Sequence, residues 1–461
     1  MPLFAQSGRT VPAATPVETL PPGVASEPTV KQLYEEANGY LRTKAAEYEA
    51  KKVVFTDKRL EQLKLEQRQL AARYAAGAEL RKNLAGEDLY FVGMLHWIAE
   101  NFDGTTESLL KFVTSDNAPI ERVQTARSIA AVSYAKLKKL DEAEKMLADY
   151  LKSEPQKLTE RSRVEGEIAK AYQVENKFVQ MAPHAEEAYK AAKSLLASAA
   201  SRARGLDEIL DSGVLVFEAY RDLGDQQKAD AALDDLRTTA IATQTSSFFY
   251  YVADKKITYM IDTGRKPKAL EFYQSALIAA DKDFPEKPQR DDVVRRLKAR
   301  EKHYRLLGEA AIEFPPVDQW FPGTPKTFAD LKGKVVLLDF WATWCAPCLE
   351  AFPAIKEWQQ DFGGDGLEIL GVTRYYGNVN GVSAEMPAEI DYIKRFQKAN
   401  DMTYDILVVK GQSIQMSYGA TALPTAVLID RKGVIRYIAT GTSSTRLEEI
   451  RATIIKLLAE K

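Results

Sequence analysis

Thiol and imidazole groups are scarce here: 461 residues contain two cysteines and three histidines. The histidines, His96, His184 and His303, are scattered, and no pair has metal-ligand spacing, so each reads as a surface or packing residue. Zinc would need two ligands beyond the cysteines, and none lies near them; no metal and no other cofactor is expected. An excess of one charge is also missing. Lys+Arg 63 against Asp+Glu 65 leaves a formal net charge of -2, so no nucleic-acid partner is expected. No apolar run approaches the ~18 residues of a transmembrane helix, and none has the shape of a signal-peptide h-region.

What is present is concentrated at Trp344-Cys345-Ala346-Pro347-Cys348, which holds both cysteines. An apolar run, Val335-Val336-Leu337-Leu338-Asp339-Phe340-Trp341, precedes it, and a helical pattern from 349 to 362 follows. A C-x-x-C at the junction of a buried strand and a helix is the sequence form of a dithiol redox site. The helix N-terminus presents unpaired N–H groups and a positive dipole end, which favour a thiolate at Cys345. Cys348, one turn on, lies close enough to resolve a mixed disulfide. No spare thiol remains to mispair, which fits an oxidising compartment.

The length predicts two or three domains. Residues 1–29 read as a flexible N-terminal arm, broken by Pro21-Pro22-Gly23 and Pro28. Within it, Phe4-Ala5-Gln6-Ser7 resembles the residue chemistry around a signal-peptidase cut; the alternative is a disordered cytosolic tail. From 30 to 307, apolar residues recur at three- and four-residue spacing, predicting a helical domain. The stretch 57–84 reads as one long helix with Leu60, Leu63, Leu70 and Tyr74 near an a/d seam. That seam suits packing within its own domain better than a coiled-coil dimer.

Paired helices with short turns follow. The first pair covers 126–151 and breaks at Lys138-Lys139-Leu140-Asp141. Echoes cover 216–236, turning at Leu223-Gly224-Asp225, and 257–276, turning at Thr263-Gly264-Arg265. The pattern resembles a degenerate tetratricopeptide (TPR-like) α-solenoid, whose concave face implies a protein partner; the alternative is a spacer or dimerisation element. Past Leu307, Pro315-Pro316 and Pro322 cannot continue helices. Strands then alternate with helices over 308–461: strands at 335–340, 367–372, 406–409, 426–429 and 434–440, helices at 345–362, 388–400 and 447–459. The last two strands form a hairpin, giving an α/β domain.

This last segment resembles the thioredoxin superfamily, and within it the TlpA/ResA-like thiol–disulfide oxidoreductases. Three elements carry the resemblance in order: residues 331–348 with the C-x-x-C, Pro353 five positions after Cys348, and Tyr418-Gly419-Ala420-Thr421-Ala422-Leu423-Pro424-Thr425 as a cis-proline loop. The fold class implied is multidomain: an α-helical repeat followed by a thioredoxin-like domain. The resemblance implies that Cys345, at the exposed helix start, attacks, that the more buried Cys348 resolves, and that Pro424 is cis against the disulfide. It also implies that the backbone of Leu423 pairs with the substrate strand. Trp344, Ala346 and Pro347 join Leu423 at the substrate face, and the residues between the cysteines tune the potential.

Asp339 stands where thioredoxins have a buried aspartate. Under the disulfide its carboxyl would have a raised pKa and accept the Cys348 proton; the alternative is an exposed strand-end residue. Relatives often have a glutamate three positions after the second cysteine. Here that position is Ala351, and Glu350 should point elsewhere, one residue being a 100° rotation. The loop 374–387 reads as a flexible surface loop, either idle or contributing Tyr375 and Tyr376 to substrate choice.

The implied function is a protein-disulfide reductant in the bacterial periplasm or cell envelope, with the signal segment not seen in this sequence. Disulfide-containing proteins would be its substrates, and a membrane or soluble dithiol its electron donor. A purely structural disulfide would constrain too little chain to matter. A peroxiredoxin is disfavoured because Leu338 and Ala342 occupy the places of its Pro and Thr/Ser. The rival from another class is a TPR-like interaction scaffold with an accessory redox domain.

Overall fold

The computed structural model describes residues 27–460. The arm expected over 1–29, with its 4–7 stretch, falls outside the described residues except for 27–29. Contacts divide the chain into two compact units at Leu215/Val216.

The first unit is helical: α1 (Val30–Ala50), α2 (Asp57–Glu79), α3 (Glu87–Ile98), α4 (Phe102–Val113), α5 (Ile120–Lys136), α6 (Leu140–Leu151), α7 (Leu158–Val174) and α8 (Phe178–Leu195). Its first helix begins at a capping box, in which Thr29 Oγ1 accepts from Gln32 N–H and Gln32 Oε1 accepts from Thr29 N–H. Burial on α2 runs along Leu63, Ala71, Ala75 and Ala78, so Leu60, Leu70 and Tyr74 are only partly covered. Leu63 and the three alanines, not the full leucine seam, are therefore the buried side of α2, which packs on α1 and α3. The helix also stops at Glu79 rather than 84, and Leu80 projects into solvent at 86% exposure. Ala126, Ala130 and Ala143 are likewise fully buried on α5 and α6.

Helix α9 (Arg202–Asp222) leads into the second unit, which continues with α10 (Gln226–Ala242), α11 (Ser246–Asp262), α12 (Lys266–Asp283) and α13 (Lys287–Leu306). The expected turns at 223–225 and 263–265 separate α9 from α10 and α11 from α12. Beyond α13 come β1 (Gln319–Phe321), β2 (Val335–Phe340), α14 (Ala346–Phe362), β3 (Leu367–Arg374), β4 (Asn378–Val379), β5 (Val382–Ser383) and α15 (Met386–Ala399). The chain then adds β6 (Asp405–Val409), α16 (Ser413–Tyr418), β7 (Thr425–Ile429), β8 (Ile435–Thr440) and α17 (Ser444–Ala459).

Six of these strands make one mixed sheet in the order β1-β6-β3-β2-β7-β8. The central strand β2 is buried at every position, as expected when both faces of a sheet are covered. It runs parallel to β3 and antiparallel to β7. This is a thioredoxin-like sheet, and it follows the helical region as the fold class anticipates. Strand β1 pairs with β6 over three residues, too short for a period-2 pattern to reveal it.

The segment after α13 is sewn to the sheet edge. Gly308 N–H donates to Ile435 O at 2.8 Å, Ile435 N–H to Glu309 O at 2.9 Å, and Ala311 N–H to Gly433 O at 2.8 Å. Tyr418 Oη then accepts from Ile312 N–H at 2.8 Å and donates to Ile312 O at 3.0 Å. Among the described residues no helix is long and apolar enough to cross a membrane.

Candidate active site

Strand β2 delivers the chain to the cysteines, and the local sequence makes a helix start there. Cys345 is the N-cap of α14, and its Sγ accepts from Cys348 N–H at 3.3 Å. Pro347 falls in the first turn, where its fixed φ and missing N–H cost nothing. No acidic residue stands in that first turn, so nothing there opposes the positive helix end. The two cysteines are joined as a disulfide.

One expectation is corrected. Cys345 is not exposed: its relative accessibility is 3%, against 1% for Cys348. Both belong to a core cluster with Trp341, Ala342, Ala351 and Phe352, and that packing covers the oxidised pair. The exposed surface at the turn comes from Trp344, Ala346 and Pro347.

The Leu423–Pro424 peptide bond is cis. Phe340 and Thr425 are register partners, so Pro424 stands at the sheet end from which β2 enters the cysteine turn. Pro424 is buried, and Leu423, half-buried, packs against the cluster that holds both cysteines.

Asp339 is 2% exposed, which removes the strand-end alternative. Desolvation pushes its carboxyl up to about 7. Its Oδ2 has no hydrogen-bond partner, and neither do Trp341 Nε1 and Tyr404 Oη, two further buried polar atoms. These groups converge. Asp339 is paired in register with Gly371, and a Cβ on Gly371 would lie 2.9 Å from Trp341 Nε1 and 3.0 Å from Tyr404 Cε2. Only a residue without a side chain leaves room for the indole and the phenol beside the carboxyl. Burial, and next the Asp339 charge, drive the Tyr404 phenol well above its usual range, so it stays a hydrogen-bond donor. Sequence reasoning missed Tyr404 and Gly371, because nothing near either residue signals the pairing.

From α14, Ala351 joins the core cluster while Glu350 is exposed, so the glutamate common in relatives has no stand-in on this helix. The loop after β3 is more structured than its sequence suggests. It forms the β4–β5 hairpin, and buried Glu389 accepts from Tyr376 N–H at 2.7 Å and from Gly377 N–H at 2.9 Å. Tyr376 is thereby fixed edge-on to Trp344, with ring centroids 5.2 Å apart, and the Arg374 guanidinium lies 4.1 Å from its centroid. Its hydroxyl accepts from Gln415 Nε2 at 3.0 Å. Tyr375 instead turns inward and donates to Asp318 Oδ2 at 2.6 Å.

The histidines are all engaged. His96 meets Glu79 at 2.8 Å, and His184 is held between Glu165 at 2.5 Å and Glu144 at 2.7 Å. His303 reaches the carbonyl of Gly419, at the start of the loop that ends in Pro424.

Residues 317–454 match the Redoxin family. Over 124 residues the chain is 36% identical to the thioredoxin-like protein YneN of Bacillus subtilis, a span of 27% of this chain and 66% of that protein. Over 142 residues it is 30% identical to the thiol-disulfide oxidoreductase ResA of Geobacillus thermodenitrificans, covering 31% of this chain and 74% of that protein. Among solved structures, a DsbE thiol:disulfide interchange protein of Chlorobium tepidum is similar with 24% identity, covering 33% of this chain and 98% of that one, at a TM-score of 0.28.

Proposed function

Because this chain belongs to the ResA-type thiol–disulfide oxidoreductases, we propose that it reduces disulfides in other proteins through Cys345 and Cys348. The observation that carries this reading is Cys345 at the N-cap of α14, its sulfur receiving the Cys348 N–H and bonded to Cys348.

In the dithiol form the Cys345 thiolate attacks one sulfur of the substrate disulfide. That S–S bond breaks, one substrate sulfur leaves as a thiolate and takes up a proton, and a mixed disulfide forms. Cys348 then loses its proton to the Asp339 carboxylate and attacks Cys345 Sγ. The second substrate sulfur departs, the substrate has gained two electrons, and the Cys345–Cys348 disulfide remains. A membrane or soluble dithiol must reduce it again to close the cycle.

Burial suits Asp339 to this task, since a carboxyl near 7 both takes and returns a proton at neutral pH. Leu423, ahead of Pro424, offers its backbone to an extended substrate segment. Trp344, Ala346 and Pro347 are the exposed residues at the cysteine turn that such a segment would meet.

The domain division proposed is a helical TPR-like domain over 30–307, which positions a protein partner, and a thioredoxin-like domain over 308–461. An extracytoplasmic location, bacterial periplasm or cell envelope, fits a chain whose cysteines are confined to one pair.

Equilibration of the dithiol with glutathione buffers, read by mass shift after alkylation, tests the direction of transfer. A reductant requires a potential more reducing than about −200 mV, whereas a value as oxidising as about −120 mV contradicts it.

A further inference from the structure

The 419–424 loop is gripped at its start by a helix outside the thioredoxin-like fold. His303 on α13 is 3% exposed, and its Nε2 lies 3.0 Å from Gly419 O. Its other ring nitrogen, Nδ1, lies 2.8 Å from Arg300 Nη1. A guanidinium can only donate, so Nδ1 accepts and Nε2 carries the proton given to Gly419 O. Arg300 is fixed in turn: Nε donates to Asp254 Oδ1 at 2.9 Å and Nη1 to Ile438 O on β8 at 2.9 Å, while Tyr304 Oη donates to the same Asp254 oxygen at 2.7 Å.

Gly419 completes the fit. Its φ of +69° is left-handed, and a Cβ there would stand 2.9 Å from both His303 Cδ2 and Nε2 and 3.0 Å from Lys302 Cγ. Burial, then the Arg300 charge, hold the ring down to about 4, so it is neutral and keeps one tautomer near physiological pH. Four residues beyond Gly419 stands Leu423, the backbone edge assigned above to substrate.

We propose that His303 is a positioning residue for substrate recognition: Asp254 on α11 sets Arg300, Arg300 sets the histidine tautomer, and His303 fixes where the 419–424 loop presents Leu423. The inference rests on the oxidoreductase reading and deepens it. Helices α11 and α13 act on the peptide-binding edge of the site and leave the dithiol chemistry alone.

Two disulfides separate the roles, using the full chain: a cyclic peptide closed by one disulfide, and hydroxyethyl disulfide, which has no backbone to pair. His303→Leu fills the space without either hydrogen bond and is expected to raise KM for the peptide about fivefold, the scale of one lost hydrogen bond. Its kcat, its rate with hydroxyethyl disulfide and its redox potential stay at wild-type values. His303→Gln retains an acceptor and a donor and is expected to restore KM. Arg300→Met, which removes the donor to Nδ1, raises KM in the same direction and serves if His303→Leu does not fold. An unchanged KM in both loss variants, or equal slowing with both disulfides, overturns the proposal. A wild-type chain that reduces neither disulfide would instead overturn the oxidoreductase reading and this proposal with it.

Discussion

Cys345→Ser reduces the rate of substrate disulfide reduction by at least about a thousandfold, the scale on which removing an enzymatic nucleophile acts. The cause lies at the helix end. Cys345 caps α14, its sulfur receives the Cys348 N–H at 3.3 Å, and no acid stands in the first turn. Each of these favours a negative sulfur over a neutral thiol. A serine hydroxyl at the same place remains protonated at neutral pH and does not form a disulfide. The variant is expected to fold. Serine is a good N-cap, and a disulfide closing so short a loop contributes little through chain entropy. Stopped assays with the reduced protein, paired with circular dichroism, check both halves: activity at background and an unchanged spectrum.

Asp339→Asn is expected to act on rate and stability in opposite directions. If the carboxylate takes the Cys348 proton as proposed, its loss slows resolution of the mixed disulfide about a hundredfold, a typical loss for a general base. Stability moves the other way with pH. The folded carboxyl titrates near 7 and the unfolded one near 3.8, so between those values the folded state holds a proton that the unfolded state has lost. Stability therefore falls as pH rises through that window and levels off above it. Carrying the group from 3.8 to about 7 corresponds to on the order of 4 kcal/mol, and asparagine recovers part of this at pH 8 and none at pH 3. Urea unfolding at both pH values reads the difference. A wild-type pH slope retained by Asp339→Asn, or an unchanged resolution rate, removes Asp339 from the mechanism.

The apolar run at 335–341, the C-x-x-C after it and the proline of the 418–425 loop are local signals. The structure gives β2 the bounds Val335–Phe340, starts α14 at Ala346 and makes the Leu423–Pro424 bond cis. What could not be read depends on groups brought together from afar. Tyr404, just ahead of β6, comes beside Gly371 on β3, and His303 meets Gly419 across 116 residues. Glu389 organises the 376–377 backbone from a helix more than ten residues on, so a stretch with two glycines and two asparagines reads as loose when it is held. The burial of Cys345 has a related cause. A helix start is exposed by default, and only the packing of Trp341, Ala342 and Phe352 covers this one. On α2 the leucines attract attention, but of the expected seam only Leu63 is fully buried and alanines supply the rest of the contact, because close helix approach is decided by small residues that a hydrophobic pattern underweights.

Which sulfur meets the substrate decides the mechanism. Reduced Cys348→Ala, mixed with a disulfide-bonded peptide and digested after thiol blocking, is predicted to carry the peptide as a stable mixed disulfide on the fragment containing Cys345. The complementary Cys345→Ala, treated identically, is predicted to carry almost none. Adduct on Cys348 in the second variant at the level of the first, or no adduct in either, contradicts dithiol exchange led by Cys345.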